Sequence, residues 1–236
     1  MLEDLKEQVR QANVDLAVRR LVTLTWGNVS GISAARDLVV IKPSGVAYER
    51  LTVADMVVVD LEGHVVEGRL RPSSDAPTHV LLYRHFADIG GITHTHSRCA
   101  TAFAQARREL PCLGTTHADH FWGAVPVTRP LTPAEVTTDY EANTGRVIVE
   151  RFAGLSPLAT PAVLVAGHAP FTWGRTAAES LQNAVALEAV AEMAVGTWLI
   201  NPQALPLEDY VLDKHYQRKH GPDAYYGQHG SFTASH

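Results

Sequence analysis

Cysteine is scarce in this sequence, with only Cys99 and Cys112 among 236 residues. The two do not form a CxxC motif, and a single pair cannot build the disulfide framework of a small secreted domain. We therefore expect a reducing compartment. Cys99 lies in an alanine-rich run, which favours a small buried hydrophobic side chain over a reactive or metal-binding thiol.

Signals for export or membrane insertion are also lacking. The first residues, MLEDLKEQVR, are acidic and amphipathic and have no apolar core of a signal peptide. No apolar run in the sequence approaches the length that crosses a bilayer. Together with the cysteine usage, this predicts a cytoplasmic protein that has no membrane partner.

Basic residues are in the minority. Lysine and arginine number 20 against 25 aspartates and glutamates, a formal net charge of −5. This balance argues against general binding to nucleic acid or to an anionic membrane. The only basic cluster runs from Lys214 to His220, and it is either a solvated helix face or an anion site.

No linker or internal repeat interrupts the chain. With 46% hydrophobic and 19% charged residues, the composition is that of a globular protein, and 236 residues suffice for one well-filled domain. We expect a single domain over residues 1–228. The tail over 229–236 has little apolar content, which predicts disorder there.

Hydrophobic periodicity predicts interleaved helices and strands. Apolar residues at every third or fourth position mark an amphipathic helix from Leu2 to Leu16, and alternation marks a strand over 21–31. Further strands are predicted over 38–46, 56–68 (a hairpin), 89–96, 124–128 and 161–174, and helices after Asp75, after Ser97, within 131–154, over 176–199 and near 206–219. Because several strands are joined by hairpins, we expect an α/β fold with a mixed sheet covered by helices.

Two histidines stand two residues apart at the end of one predicted strand. That spacing puts His94 and His96 on the same face, where two neutral imidazoles suit zinc or a similar ion. His168, in LVAGHAPF, is the best third ligand, and Asp75 is a plausible carboxylate. The alternative is an ordinary polar pair at a strand end. HTHS also superficially fits a two-histidine phosphodiesterase, but the sequence has no second such element.

Three short turns are candidate anion sites. KPSG and PSSD carry hydroxyls next to small residues, and TWGNVSG offers Gly27 and Asn28. PSSD opens a helix, where free N–H groups and the helix dipole favour a phosphate. Each turn alone is also explained as an ordinary turn or cap, and the sequence does not bring the three together.

Two further sites are candidates for proton transfer. Asp119, in GTTHADHF, is either a general acid/base or a solvated cap. Tyr225 and Tyr226 lie near the carboxyl terminus, where an aromatic pair either packs the chain end or moves protons beside a metal.

The motifs taken together, in chain order, point to a known family. They are LVTLTWGNVSG, VIKPSGV, MVVVDLEGHVVEG, PSSDAPTH, IGGITHTHSRCAT, GTTHADHFWG, YEANTG, VLVAGHAPFTWG and VLDKHYQRKHG with AYYGQ. They resemble the class II sugar-phosphate aldolase/epimerase family over residues 1 to about 228. GTTHAD and the C-terminal KHYxRKHG…YYG favour its L-ribulose-5-phosphate 4-epimerases over its aldolases.

The resemblance implies a fold, an assembly and a set of site residues. The fold is a three-layer α/β/α domain with a mixed, largely antiparallel sheet, assembled as a fourfold homotetramer with active sites between neighbouring subunits. The implied metal ligands are Asp75, His94, His96 and His168, and the proton carriers are Asp119 and Tyr226, with the tyrosine from the adjacent subunit. The implied substrate site comprises Gly27, Asn28, Lys42, Ser44, Gly45, Ser73, Ser74, Thr115, Glu141, His215 and Arg218, the last two also across the interface.

The implied reaction interconverts L-ribulose 5-phosphate and D-xylulose 5-phosphate. Proton removal at C4 is unattractive because C4 is not adjacent to the C2 carbonyl. Retro-aldol cleavage of C3–C4, rotation of the aldehyde and re-addition avoid that step. One zinc ion per subunit, or manganese or cobalt, would stabilise the developing charge.

Alternatives remain within the same fold. One is an aldolase on a related sugar phosphate such as L-fuculose 1-phosphate, and another is a non-catalytic binding module, which the three histidines disfavour. The chain has AGHAPF over 166–171 where close epimerases have HSHGPF, so it departs at Ala166, Gly167 and Ala169. The histidine missing at position 166 is not one of the implied ligands, and the departure concerns the surroundings of the metal. Arabinose, ascorbate and related routes share this step.

Overall fold

Seven strands form one sheet in the computed structural model, which describes residues 2–225. The strands are β1 (Asn28–Ile32), β2 (Leu38–Ile41), β3 (Val57–Asp60), β4 (Val65–Glu67), β5 (Gly91–His94), β6 (Ala162–Leu164) and β7 (Pro170–Gly174). Their order is β4-β3-β2-β1-β5-β7-β6, and every pairing between them is antiparallel. A parallel bridge joins Val127 to Leu164 at the sheet margin.

Helices cover both faces of this sheet. They are α1 (Leu2–Val18), α2 (Ala76–His85), α3 (Arg98–Gln105), α4 (Thr115–Ala118), α5 (Pro133–Thr138), α6 (Tyr140–Arg151), α7 (Ala177–Ile200) and α8 (Asp209–His220), with single 3₁₀ turns at Tyr48–Arg50 and Val53–Asp55. This arrangement confirms the expected three-layer α/β/α fold.

The alternation of side chains along β2 and β3 divides the core into two layers. Val39 and Val59 join the cluster that α2 and α6 cover, whereas Val40 and Val58 join the cluster that α1 and α7 cover. Both strands therefore read as continuous apolar runs, because successive residues point to opposite faces and both faces are buried.

Helix α7 is long and apolar enough, by length and composition, to cross a membrane. The expectation that no apolar run approaches membrane-spanning length was therefore wrong as regards length and composition. Eight of its side chains are nevertheless buried, among them Leu181, Leu187 and Val190, and it packs on β5, β7, α1 and α3. Burial on the sheet explains its apolar composition.

Two predicted strand segments have a different structure. Residues 21–27 form a turn in which the Trp26 N–H donates to the Thr23 carbonyl at 3.1 Å and Leu24 has a φ of 54°, so the first strand begins only at Asn28. Residues 124–128 contribute single bridges rather than a strand. Alternating apolar residues occur in both segments, but neither has a continuous pairing partner.

The antiparallel register gathers three strand ends at one edge of the sheet. Asn28 at the start of β1 pairs with His94 at the end of β5, and His94 pairs in turn with Phe171 near the start of β7. The segments before β1, after β5 and before β7 therefore meet at one place, and the candidate site lies there.

Candidate active site

Three histidines converge at this edge. The ring centroids of His94, His96 and His168 lie 5.0–5.1 Å from one another, and each ring has a nitrogen within 4.8 Å of the others. His94 ends β5, and His96 follows two residues later. His168 occupies the tight turn between β6 and β7, where Gly167 adopts a φ of 74°.

The protonation states of two of these rings suit a metal ion. Burial and the neighbouring His94 lower the pKa of His96, and burial with the other two histidines lowers the pKa of His168 to about 4. Both rings are therefore neutral at pH 7. A metal binds only the neutral imidazole, so these two rings are ready for one without first losing a proton.

Asp75 occupies the N-cap position of α2, but its side chain does not cap the helix. Its Oδ2 instead accepts a hydrogen bond from the Asn28 amide at 2.7 Å. Burial alone raises the pKa of this carboxyl, yet nearby His94 and His79 and the Asn28 bond outweigh burial and lower it. No hydrogen bond from residues 2–225 reaches Oδ1, so this oxygen of the ionised carboxylate is free to donate an electron pair to a metal ion.

This donor set fits a divalent metal ion. Three imidazole nitrogens and one carboxylate oxygen match the ligand types that zinc takes in proteins, and manganese and cobalt accept the same types. His168 also has a buried Nδ1 without a hydrogen-bond partner in the described part of the chain, so protein contacts do not saturate the ring.

The histidines and Asp75 open into a cavity of about 620 Å³. Twelve of the sequence-predicted site residues line it: Gly27, Asn28, Lys42, Ser44, Gly45, Ser73, Ser74, Asp75, His94, His96, Glu141 and His168. A cavity of this size suits a small molecule.

Two of the predicted anion turns are joined by the fold. An isolated antiparallel bridge pairs Pro43 with Pro72, and the Ser73 N–H donates to the Lys42 carbonyl at 3.0 Å. KPSG and PSSD are thus side by side at the cavity wall, although 30 positions of sequence numbering separate Lys42 and Pro72. Residues of both turns, Ser44 and Gly45 from one and Ser73 and Ser74 from the other, border the same space.

Lys42 is the buried cation of this cavity. Its side chain is within the core (2% exposed), its Nζ donates to the Pro43 carbonyl at 3.3 Å, and the ammonium lies 4.9 Å from the Tyr48 ring centroid. Burial lowers its pKa to about 8. No carboxylate among residues 2–225 forms an ion pair with it, so its charge is available to an anionic ligand.

Four other predicted residues do not line this cavity. Asp119 follows α4, where its Oδ1 accepts from His215 Nδ1 and Arg218 Nε (both 3.1 Å) and its Oδ2 accepts from the same guanidinium at 2.7 Å. Burial opposes ionisation, but Arg218 and His215 outweigh it and lower the carboxyl pKa. Thr115 begins α4 and its carbonyl accepts from the Asp119 N–H at 3.0 Å. This second cluster joins α4 to α8.

Tyr226, the other predicted proton carrier, lies outside the described residues, as does the tail over 229–236. Among the predicted residues that the structure describes, the second cluster holds Thr115, Asp119, His215 and Arg218.

Sequence reasoning missed two aromatic residues that flank the histidines. The Trp26 ring lies 6.4 Å from His96, and the Tyr140 ring lies 6.2 Å from His168, and both line the cavity together with Thr25 and Pro43. Trp26 precedes Gly27 and Tyr140 precedes Glu141, and this adjacency could have identified them. Residues next to a predicted site residue, in a turn or at a helix start, often line the same pocket.

Comparisons with known proteins agree with this architecture. The family model described as Class II Aldolase and Adducin N-terminal domain matches residues 7–195. Over 227 residues, 96% of this chain and 100% of the relative, the sequence is 56% identical to "L-ribulose-5-phosphate 4-epimerase UlaF" of Salmonella paratyphi B, and equally so to that of Salmonella typhi.

Solved structures give the same result. An L-fuculose 1-phosphate aldolase superposes with a TM-score of 0.77 at 25% identity, covering 91% of this chain and 95% of the other. The L-fuculose-1-phosphate aldolase of Thermus thermophilus superposes with a TM-score of 0.67 at 26% identity, covering 87% of this chain and 100% of the other. The extent of these matches leaves one conclusion: the chain belongs to the class II aldolase and adducin family.

Proposed function

We propose that the protein is a metal-dependent epimerase that interconverts L-ribulose 5-phosphate and D-xylulose 5-phosphate. The observation that carries this proposal is one cavity lined by three clustered histidines, Asp75, the buried Lys42 and two hydroxyl-bearing turns. The 56% identity to a protein named as this epimerase, over its whole length, supports the choice of reaction. Family membership removes the two-histidine phosphodiesterase as an alternative.

The proposed cofactor is one zinc ion per subunit. His94, His96 and His168 would hold it, with Asp75 beside them. When bound, the ion supplies Lewis-acid stabilisation of negative charge on a substrate oxygen.

The remaining cavity residues would hold the substrate. The hydroxyl groups of Ser44, Ser73 and Ser74 and the backbone N–H groups of Gly45 and Ser74 would surround the phosphate. Lys42 would supply a positive charge. These contacts keep the two-carbon aldehyde bound while it turns, so that its other face meets the three-carbon fragment. Asn28 and Glu141 would orient the hydroxyl groups of the sugar.

The reaction needs protons moved on opposite faces of the aldehyde. Deprotonation of the C4 hydroxyl lets the C3–C4 bond break, the bonding electron pair stays on the three-carbon fragment, and re-addition to the other face requires a proton for the new alkoxide. Asp119 and Tyr226 would be these two carriers. Asp119 is ionised, which is the form that can accept a proton.

Asp119 does not line the cavity of its own chain, so we propose that it serves the site of a neighbouring subunit in a homotetramer. His215 and Arg218, which hold its carboxylate, would accompany it. The end of α7 supports an assembly, since the adjacent Leu199 and Ile200 are 80% and 88% exposed and contiguous exposed apolar patches mark interaction surfaces. Free cysteines at both positions agree with a cytoplasmic enzyme.

An aldolase is the second candidate, because the superposition with an L-fuculose 1-phosphate aldolase is extensive. The two functions differ in the fate of the aldehyde, which an aldolase releases and an epimerase re-adds. The three histidines disfavour a non-catalytic binding module.

Product analysis with L-ribulose 5-phosphate, with and without a chelator, tests the proposal. We expect zinc-dependent formation of D-xylulose 5-phosphate with little free glycolaldehyde phosphate. Accumulation of free aldehyde would identify an aldolase. No turnover with stoichiometric zinc bound would indicate a different substrate or a binding module, and turnover by metal-free protein would overturn the metal assignment.

A further inference from the structure

One fully buried histidine is not used by the proposed reaction. His79 lies on α2, one helical turn after Asp75, and its side chain has no exposure to solvent. Its backbone N–H donates to the Asp75 carbonyl at 3.1 Å, and residues four apart lie on the same face of a helix. His79 does not line the cavity, so it acts from behind the wall that carries Asp75.

Polar contacts fix one side of the His79 ring. Its Nδ1 lies 2.7 Å from the Ser30 hydroxyl, which lies 2.8 Å from the Tyr83 hydroxyl. Ser30 belongs to β1, and its partner on β5 is Ile92, two residues before His94. The His79 ring therefore connects α2 to the strand pair that carries the first histidine of the cluster.

Aromatic contacts lead from the other side of His79 to the cluster. The edge of its ring meets Phe171, with centroids 5.9 Å apart at 67°. Phe171 in turn stacks on His94 at 4.1 Å and 18°. One side chain, Phe171, thus lies between the His79 ring and the His94 ring.

The chemistry of His79 is unusual for a residue that only fills space. Burial lowers its pKa to about 3, so the ring is neutral, and its Nε2 has no hydrogen-bond partner among residues 2–225. An unpaired buried nitrogen is unfavourable compared with an apolar side chain of the same shape. Unsatisfied buried groups of this kind call for a functional explanation.

We propose that His79 is a positioning residue of the metal centre: its ring ties α2, the helix that follows Asp75, to Ser30 of β1 and supports the Phe171–His94 stack in the arrangement that binds the ion. The inference rests on the metal site of the proposed function. Groups behind metal ligands orient those ligands, and their loss typically lowers metal affinity about 10- to 100-fold.

The test compares His79→Phe with Val80→Ala in the full-length, metal-free protein. Val80 is the next residue of α2, is buried in the core that includes Phe171, and has an apolar side chain that forms no hydrogen bond. Zinc affinity is measured by competition with a chromophoric chelator, and the cobalt-substituted proteins are compared by their visible spectra. The melting temperature of each metal-free protein reports stability separately.

We expect His79→Phe to lower zinc affinity at least about tenfold and to change the cobalt spectrum, whereas Val80→Ala loses stability with less than about a threefold change in affinity. If the phenylalanine variant does not fold, His79→Asn replaces it with the same expectation, since it keeps a polar atom near Ser30 but loses the ring on Phe171.

Unchanged zinc affinity and cobalt spectrum in the folded His79 variant would overturn the inference. An equal loss of affinity in Val80→Ala would also overturn it, since the effect would then follow stability alone. These outcomes are independent of the substrate: wild-type protein that binds zinc but does not epimerise L-ribulose 5-phosphate would refute the proposed reaction and leave this comparison valid.

Discussion

The Nδ1 atom of His94 donates a hydrogen bond to the carbonyl oxygen of Pro170 at 2.9 Å. Because a carbonyl only accepts, this bond places the imidazole hydrogen on Nδ1 and leaves Nε2 with a free lone pair. The contact also fixes the orientation of the ring, as is common for histidines that ligate metals. One backbone atom of β7 thus selects the tautomer of a residue on β5.

Removal of one histidine from the cluster tests the metal site. We expect wild-type protein to bind one zinc ion per chain. Loss of a residue that only supports a ligand typically lowers metal affinity by up to about 100-fold. His168→Asn removes a ligand itself, so we expect a larger loss of zinc affinity. His64→Asn, at an exposed histidine, is the control. Metal content after dialysis against a chelator series provides the measurement, and full retention in His168→Asn would contradict the assignment.

The charge of Lys42 gives a prediction for the pH dependence of catalysis. With its pKa lowered to about 8 by burial, Lys42 is protonated below pH 8 and loses its charge above it. We therefore expect kcat/KM to be level below pH 8 and to fall roughly tenfold per pH unit above it. Lys42→Arg should remove this decline because arginine stays charged. A level wild-type profile up to about pH 9.5 would contradict the role.

Lys42→Met should lower catalytic activity and raise the free energy of unfolding. Loss of a charged hydrogen bond to the phosphate lowers kcat/KM by on the order of 100-fold. Burial of the charged lysine lowers the stability of the folded wild-type protein. This cost is at its full value below pH 8 and shrinks as the pH rises toward 10.5, where the lysine of the unfolded chain also loses its charge. The variant should therefore be more stable by about 3 kcal/mol at pH 7 and by about 1 kcal/mol at pH 10. Urea unfolding of metal-free proteins at both pH values measures the difference, and a less stable variant at pH 7 would refute it.

Replacement of Asp119 should affect proton transfer without affecting metal binding. We expect Asp119→Asn to lower kcat by about 10²- to 10⁴-fold, the usual contribution of a general acid or base, while zinc content stays at the wild-type level. Asp213→Asn, at an exposed position on α8, is the matched control. Loss of zinc in the Asp119 variant would instead make Asp119 a structural residue.

The buried His117 should make the protein sensitive to acid. Burial lowers its pKa to about 4, and its Nε2 donates to the Gly123 carbonyl at 2.8 Å. Unfolded chains take up the proton near pH 6.5, so the stability that this neutral ring provides is present above that pH and declines as the pH falls toward 4. The decline is about 3 kcal/mol between pH 7 and pH 4.

His117→Gln should remove this contribution from the pH dependence of urea unfolding, because glutamine can donate to Gly123 but does not titrate. Gln105→Ala, at an exposed residue that does not titrate, should leave the dependence unchanged. Parallel curves for wild-type protein and His117→Gln would contradict the prediction.

Local patterns in the sequence predicted much of the site. The two-residue spacing of His94 and His96 indicated a shared face because strand side chains alternate. His168 and Asp75 were proposed because each follows or opens a regular element at a turn, and both line the cavity. Alternation misled at residues 21–27, where a turn replaces the expected strand, since alternation does not show whether a partner strand is available.

The sequence by itself determined which residue types were present, which faces they shared and which family they resembled, because periodicity and motif spacing are local properties. The tertiary structure alone decided which turns met. The bridge between Pro43 and Pro72 brings KPSG beside PSSD, and the register of Asn28, His94 and Phe171 gathers three strand ends. It also separated Asp119 from the histidines of its own chain. These relations depend on strand pairing and packing between distant segments, which no local pattern encodes.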